Sequence, residues 1–193
     1  MLSTETISAS SNPTGAPDPA SGITLSPITT PHDLKALKRL NTLLLPIPYP
    51  ERFYTDITAH PLTDGALTRL AFSPTGLGAI GAVRARYERP APDQGETPTP
   101  EDDGRNNGAR IYIMTLCTLS PFRGLGVATR LLEHVVGVAR EWGVSEVYAH
   151  VWEANVEALG WYEGRGFVSG EVVGGYYRRL KPDGAVVVRL RVA

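Results

Sequence analysis

Apolar positions recur along the chain with two periods, and the switches between them mark out alternating strands and helices. Leu34, Leu37, Leu40 and Leu44 give one apolar side to a helix. Its start is written in Thr30-Pro31-His32-Asp33, where Thr30 can cap, Pro31 sits in the first turn and Asp33 is the matching acid. A short strand near 23–26 precedes it, and a second short helix is expected over 51–58. Residues 67–72 and 77–87 flank the turn tetrapeptide Ser73-Pro74-Thr75-Gly76 and read as a hairpin. Residues 111–119 form a strongly apolar strand. The stretch 124–142 is then helical, with Val127, Leu131, Leu132, Val135, Val136 and Val138 on its buried side. A strand at 146–152, a helix at 155–165 and strands near 167–174 and 185–192 complete a single α/β domain with a mixed sheet.

Two stretches break the pattern. Residues 1–22 are mainly Ser, Thr, Pro, Ala and Gly, with too little apolar content to offset the entropy of ordering, so a disordered tail is expected before a domain spanning 23–193. Residues 88–108 contain four prolines and almost no apolar side chains, and read as a long flexible loop inside the domain.

Bulk composition narrows the function classes. The chain has 193 residues, 42% of them hydrophobic, enough for one real core. A net charge of −1 argues against a general nucleic-acid or membrane-surface binder, which needs a basic excess. One cysteine, Cys117, leaves no intrachain disulfide and no cysteine-based metal cluster, so no metal is expected. With neither a signal peptide nor an apolar run of the roughly 18 residues that spans a bilayer, the expected address is the cytosol, with nuclear access open.

The candidate chemistry lies between the apolar strand and the long helix, at Ser120-Pro121-Phe122-Arg123-Gly124-Leu125-Gly126-Val127-Ala128. Glycines there let backbone N–H groups approach an anion. The helix start adds roughly half a positive charge, and Arg123 can add a charge-assisted contact. Two other readings compete: a simple connection, and a dinucleotide-binding turn. The second fits badly, because Thr129 stands where a glycine or alanine is wanted.

Arg123-Gly-Leu-Gly-Val-Ala resembles the acetyl-CoA signature of the GNAT acetyltransferases, and Asn155, Tyr162 and Gly166-Phe167 are similar to that family's downstream residues. The resemblance implies an α/β GNAT fold: a mixed sheet of about seven strands, splayed between the fourth and fifth, with about four helices. The pantetheine of acetyl-CoA would lie in the splay against backbone groups of Leu116, Cys117 and Leu119. Residues Arg123, Gly124, Leu125, Gly126, Val127, Ala128 and Thr129 would hold the pyrophosphate. Asn155 and Tyr162 would sit near the thioester, Tyr162 to stabilise or protonate the departing thiolate. On the residues alone, Asn155 could equally be a helix cap and Tyr162 a core tyrosine.

A wider resemblance covers nearly all of 23–192, through Leu37-Lys38-Arg39-Leu40-Asn41, Pro46-Ile47-Pro48-Tyr49, Phe53-Tyr54, Ile111-Tyr-Ile-Met-Thr-Leu116 and Tyr176-Tyr177. These look like N-terminal acetyltransferases of the NatE type, which act on nascent chains beginning with Met. Strand periodicity puts Tyr112, Met114 and Leu116 on one face, and Tyr148 with His150 on one face of the next strand. The resemblance implies that Tyr112 and His150 hold a water that accepts the substrate proton, with direct transfer in a ternary complex. It also implies a methionine pocket from Leu45, Pro46, Ile47, Tyr49, Met114, Tyr176, Tyr177 and Leu180, and partners in nascent N-termini, an auxiliary subunit and the ribosome. Leu45 and Gly175 depart from the family's usual Phe and Asn. The alternatives carried forward are a lysine or small-amine acetyltransferase, a Cys117 acyl-enzyme, and a non-catalytic partner of such a complex.

Overall fold

The protein's structure is a computed structural model that describes residues 22–74, 76, 78–89 and 108–192. The expectations for the tail, and for the body of the 88–108 loop, therefore lie outside the described residues. The strands are β1 (Thr24–Ser26), β2 (Arg69–Phe72), β3 (Ala79–Glu88), β4 (Arg110–Thr118), β5 (Glu146–Trp152), β6 (Val168–Val173) and β7 (Ala185–Arg191). The helices are α1 (Pro31–Leu44), α2 (Glu51–Ala59), α3 (Val127–Glu141) and α4 (Val156–Glu163). A single wide turn at Pro61–Gly65 and a tight one at Ser120–Phe122 join them.

Local sequence explains the element ends. Thr30 Oγ1 accepts from the Asp33 N–H at 3.2 Å, and the Asp33 carboxylate accepts from the Thr30 N–H at 2.8 Å, the reciprocal capping read from the sequence. Leu45 is extended, as a residue before proline must be, and this stops α1. The expected helix over 124–142 starts only at Val127, because Gly124 (φ +73°) and Gly126 (φ +78°) take left-handed conformations that form a turn instead. The helix expected over 155–165 starts one residue later, with Asn155 as its cap, and ends at Glu163. β3 runs on to Glu88, one residue into the expected loop.

The sheet order is β1-β2-β3-β4-β5-β7-β6, antiparallel except for β4 and β5. β2 and β3 form the expected hairpin, closed by Gly76 N–H donating to the Ser73 carbonyl at 3.2 Å. One core gathers α3 residues Val127, Leu131 and Val135 with Ile111, Ile113, Val147 and Ala149. The opposite one packs Leu37, Leu40, Phe53, Tyr54 and Ile57 of α1 and α2 on Leu70, Ala82 and Cys117. Full burial of such side chains contributes about 1.5–3 kcal/mol each, so the two layers fix the sheet between them.

Two features of β4 shape the site. Its parallel pairing with β5 runs only from Arg110–Glu146 to Ile113–Ala149, after which β5 continues alone against β7. The sheet therefore forks at Ile113. In addition, Arg84 pairs with Thr115 and Ala85 with Ile113, leaving Met114 as an extra, bulged residue. The bulge reverses the alternation. Met114 packs on the α1–α2 side, Leu116 on the α3 side and Cys117 back on the α1–α2 side. The expectation that Tyr112, Met114 and Leu116 share a face is thus corrected: simple period-two counting fails across one inserted residue.

Candidate active site

The fork opens a cleft of about 430 Å³. Its walls include Leu116, Cys117, Arg123, Gly124, Gly126, Val127, Ala128, Thr129, Asn155 and Tyr162 from the sequence expectation. Leu44, Leu45, Thr118, Phe122, Glu157, Ala158, Trp161 and Arg165 join them. Gly126 caps α3 without any side-chain cap, so the first-turn N–H groups face the cleft without an internal acceptor. A Cβ on Gly124 would meet nothing within 4 Å, which leaves that backbone open to close approach. This is a fitting cradle for a pyrophosphate. Arg123, half-exposed, lies 3.9 Å from the exposed Glu157 carboxylate, a pair too open to solvent to hold it strongly.

Two expected ligands do not belong to this wall. Leu119 already donates its N–H to the Ile80 carbonyl at 2.8 Å and accepts from the Phe122 N–H at 2.9 Å, so its backbone is spent on the turn. Leu125, at 37% exposure, lies outside the cleft lining, because the turn between two left-handed glycines points it outward. Asn155 caps α4, its Oδ1 accepting from the Ala158 N–H at 3.1 Å, and also lines the cleft, so cap and wall are one residue. Tyr162 is buried between Trp161 and Phe167, and burial pushes its pKa up. It stays protonated and is a donor, not an anion, at the cleft wall.

A ring cluster occupies the apex of the fork, on the face away from α3. Tyr112 stands opposite Tyr148 in register, their rings stacked at 4.9 Å. His150 meets Tyr112 edge-on at 5.3 Å. The segment between β6 and β7 returns to this point: the Tyr176 ring stacks on His150 at 4.3 Å, its hydroxyl lies 2.6 Å from that of Tyr112, and Tyr177 donates its hydroxyl to the His150 carbonyl at 3.0 Å. Burial, then the neighbouring Tyr176, push the Tyr112 pKa up. Burial, then the Arg189 charge, pull that of His150 down, so the imidazole is neutral near pH 7 and can accept a proton. Its Nδ1 is buried without a hydrogen-bond partner among the described residues.

The expected methionine-pocket residues are brought together in part. Tyr49, held on Phe53 at 4.2 Å, lies close enough to Tyr176 for the two to interact electrostatically, and burial pushes its pKa up to about 12. Met114, Leu45 and Tyr49 each pack against the core of the α1–α2 layer. Ile47 and Leu180 are half-buried, Leu180 through a turn on the Tyr177 carbonyl, while Pro46 is exposed. Cys117 is buried, and burial pushes its thiol up to about 12, a poor state for a nucleophile.

Several contacts of the site carried no sequence signal. Tyr148 donates to Glu88 at 2.5 Å, and Arg86 also bonds that carboxylate. Arg84, 1% exposed, pairs with Asp64 at 3.2 Å and lies 3.9 Å over the Phe53 ring, bracing the helix layer behind Tyr49. A lone charge inside Ile80-Gly-Ala-Val-Arg84-Ala was the one visible hint. Among the described residues no group of three or more His, Cys, Asp or Glu is arranged to hold a metal.

Comparisons with known proteins agree with this arrangement. The profile of the family described as Acetyltransferase (GNAT) family matches residues 35–167. N-alpha-acetyltransferase 50 of Danio rerio is 35% identical over 83% of this chain and 83% of its own length. Probable N-acetyltransferase san of Drosophila melanogaster is 34% identical over 83% of this chain and 76% of its own. Among solved structures, Arabidopsis thaliana Naa50 in complex with the bisubstrate analogue CoA-Ac-MVNAL superposes with a TM-score of 0.70 and 30% identity, covering 88% of this chain and 98% of that one.

Proposed function

The chain belongs to the acetyltransferase (GNAT) family, and on that premise we propose that it acetylates the α-amine of protein N-termini from acetyl-CoA, preferring chains that retain an initiator Met followed by a hydrophobic or small residue. The observation that carries this reading is the forked sheet, with a glycine-built anion cradle in its mouth and a neutral His–Tyr cluster at its apex. The Arabidopsis relative bound to an analogue that joins CoA to a Met-starting peptide supports the same acceptor.

Acetyl-CoA supplies an activated thioester; this chain's residues supply position and proton handling. The α3 start and Arg123 anchor the anionic end of the cofactor. Tyr112 and His150 hold a water that accepts the proton the amine loses, with the neutral imidazole as the base behind it and the Tyr112 hydroxyl as an orienting group, and Tyr162 can give its own proton to the leaving sulfur. The demand on that base is small. An α-amine with a pKa of roughly 7.7–8.0 costs about 1 kcal/mol to deprotonate near neutral pH, whereas a lysine near 10.4 costs on the order of 4–5 kcal/mol. Of the carboxylates that interact with the rings, Glu88 is committed to Tyr148 and Arg86 and Glu171 to Arg189, so among the described residues nothing in the cluster is built to receive a lysine ammonium.

The test is turnover of Met-Leu- and Met-Ala-starting peptides against an N-terminally blocked peptide with an internal lysine. Faster acetylation of the blocked peptide overturns the proposal. In the same assay kcat/KM should rise with pH through the amine's ionisation, at roughly 7.7–8.0, with no separate limb at the ordinary imidazole value of about 6.5. We further read the setting as the nascent chain at a cytosolic ribosome beside an auxiliary subunit. Its support is the NatE-type resemblance, and co-sedimentation with translating ribosomes tests it.

A further inference from the structure

Arg165 follows α4, yet its guanidinium reaches across the cleft to the first turn of α3. Nε and Nη2 both donate to Thr129 Oγ1, at 3.2 and 2.8 Å, and Nη1 donates to the Trp161 carbonyl at 2.9 Å. The guanidinium lies 3.9 Å over the Trp161 ring, which fixes its plane. No described carboxylate forms an ion pair with it, and Arg165, Thr129 and Trp161 all line the cleft.

The consequence falls on Thr129. A hydroxyl has one proton and two lone pairs, and two N–H groups already point at this oxygen. Other helical threonines in the chain, Thr42 and Thr58, give their proton to a carbonyl of their own helix. Thr129 makes no such bond. Among the described residues its proton therefore has no acceptor, and the hydroxyl belongs to the first turn of α3, where the uncapped N–H groups also face the cleft.

We infer that Arg165 is a positioning residue for the acetyl-CoA phosphates: by saturating the Thr129 oxygen with donors, it turns that hydroxyl into a dedicated donor to a pyrophosphate oxygen. The inference rests on the acetyl-CoA reading above. It differs from a direct ionic contact, because the arginine's three inward N–H bonds are spent within the protein.

The experiment is acetyl-CoA titration of the full chain by calorimetry, with steady-state kinetics alongside. Arg165→Met should weaken acetyl-CoA binding roughly tenfold, as losing a charge-assisted hydrogen bond does. It should raise KM for acetyl-CoA, and leave kcat at saturation and the peptide KM unchanged. Thr129→Val should match it, Thr129→Ser should bind like wild type, and the double variant R165M/T129V should be no weaker than T129V alone. Arg165→Lys keeps the charge but not the paired donors and should not rescue. Acetyl-dephospho-CoA should show the same loss in R165M. Additive losses, full rescue by lysine, or a loss confined to the 3′-phosphorylated cofactor would each overturn the inference in favour of a direct charge contact. If R165M fails to fold, T129V against T129S decides alone: equal affinities sink the idea. Failure of wild type to bind acetyl-CoA would instead overturn the proposed function.

Discussion

The cofactor cleft and the ring cluster lie on one fork of the sheet but are built from opposite materials. The cleft's anion end is a backbone site: Gly124, Gly126 and the uncapped start of α3, contiguous in sequence and indifferent to most side chains. The cluster is a side-chain site, drawing Tyr112 from β4, Tyr148 and His150 from β5, Tyr49 from the α1–α2 connection and Tyr176 with Tyr177 from the β6–β7 segment. A backbone site tolerates variation around fixed conformations. A side-chain site depends on every contributing strand holding register.

Substitutions can test that contrast, beginning with the largest expected effect. His150→Ala removes the base behind the proton-accepting water, Tyr112→Phe removes the hydroxyl that helps hold that water, and each should lower kcat, by roughly 10²–10⁴ for His150→Ala. Acetyl-CoA affinity measured by titration should not change. A parallel loss of cofactor binding would mean that the two regions are one unit. Gly126→Ala forces a Cβ into a left-handed conformation at a cost of roughly 1–2 kcal/mol. That should raise KM for acetyl-CoA about tenfold while sparing kcat at saturation, the reverse signature. The smallest effect belongs to Cys117→Ala. With its thiol pushed up to about 12 by burial, the variant should keep activity within about threefold, and wild type should show no pre-steady-state burst of acyl-enzyme. A burst lost in the variant would place a nucleophile where the geometry has only packing.

The same contrast explains what could be read from the chain unaided. Arg123 to Ala128 is legible because six consecutive residues carry the whole device, and the strand–turn–helix context follows from hydrophobic period. The capping of α1 and the β2–β3 hairpin are local for the same reason. Tyr112 and His150 fell on predictable faces, but their neighbours could not be deduced by periodicity: Tyr176 reaches His150 only through the path of the β6–β7 segment. Leu119 falls outside the cleft lining because the local turn claims its backbone, a competition that no side-chain pattern records. Arg165 gave no signal at all, since an arginine just past a helix end reads as an ordinary solvated charge.

The bulged Met114 has one more consequence, which concerns counting. Upstream of it, odd-numbered β4 residues face α3; downstream, even-numbered ones do. The strand is thus written in two phases, the first serving the ring cluster and the second the cleft. Deleting this one residue would leave both phases where they are, because Ile113 already pairs with Ala85 and Thr115 with Arg84, and would remove only the unpaired residue and its extra local twist. Met114 is thus a spacer between the two halves of the site, and β4 keeps its own register on β3 to either side of it.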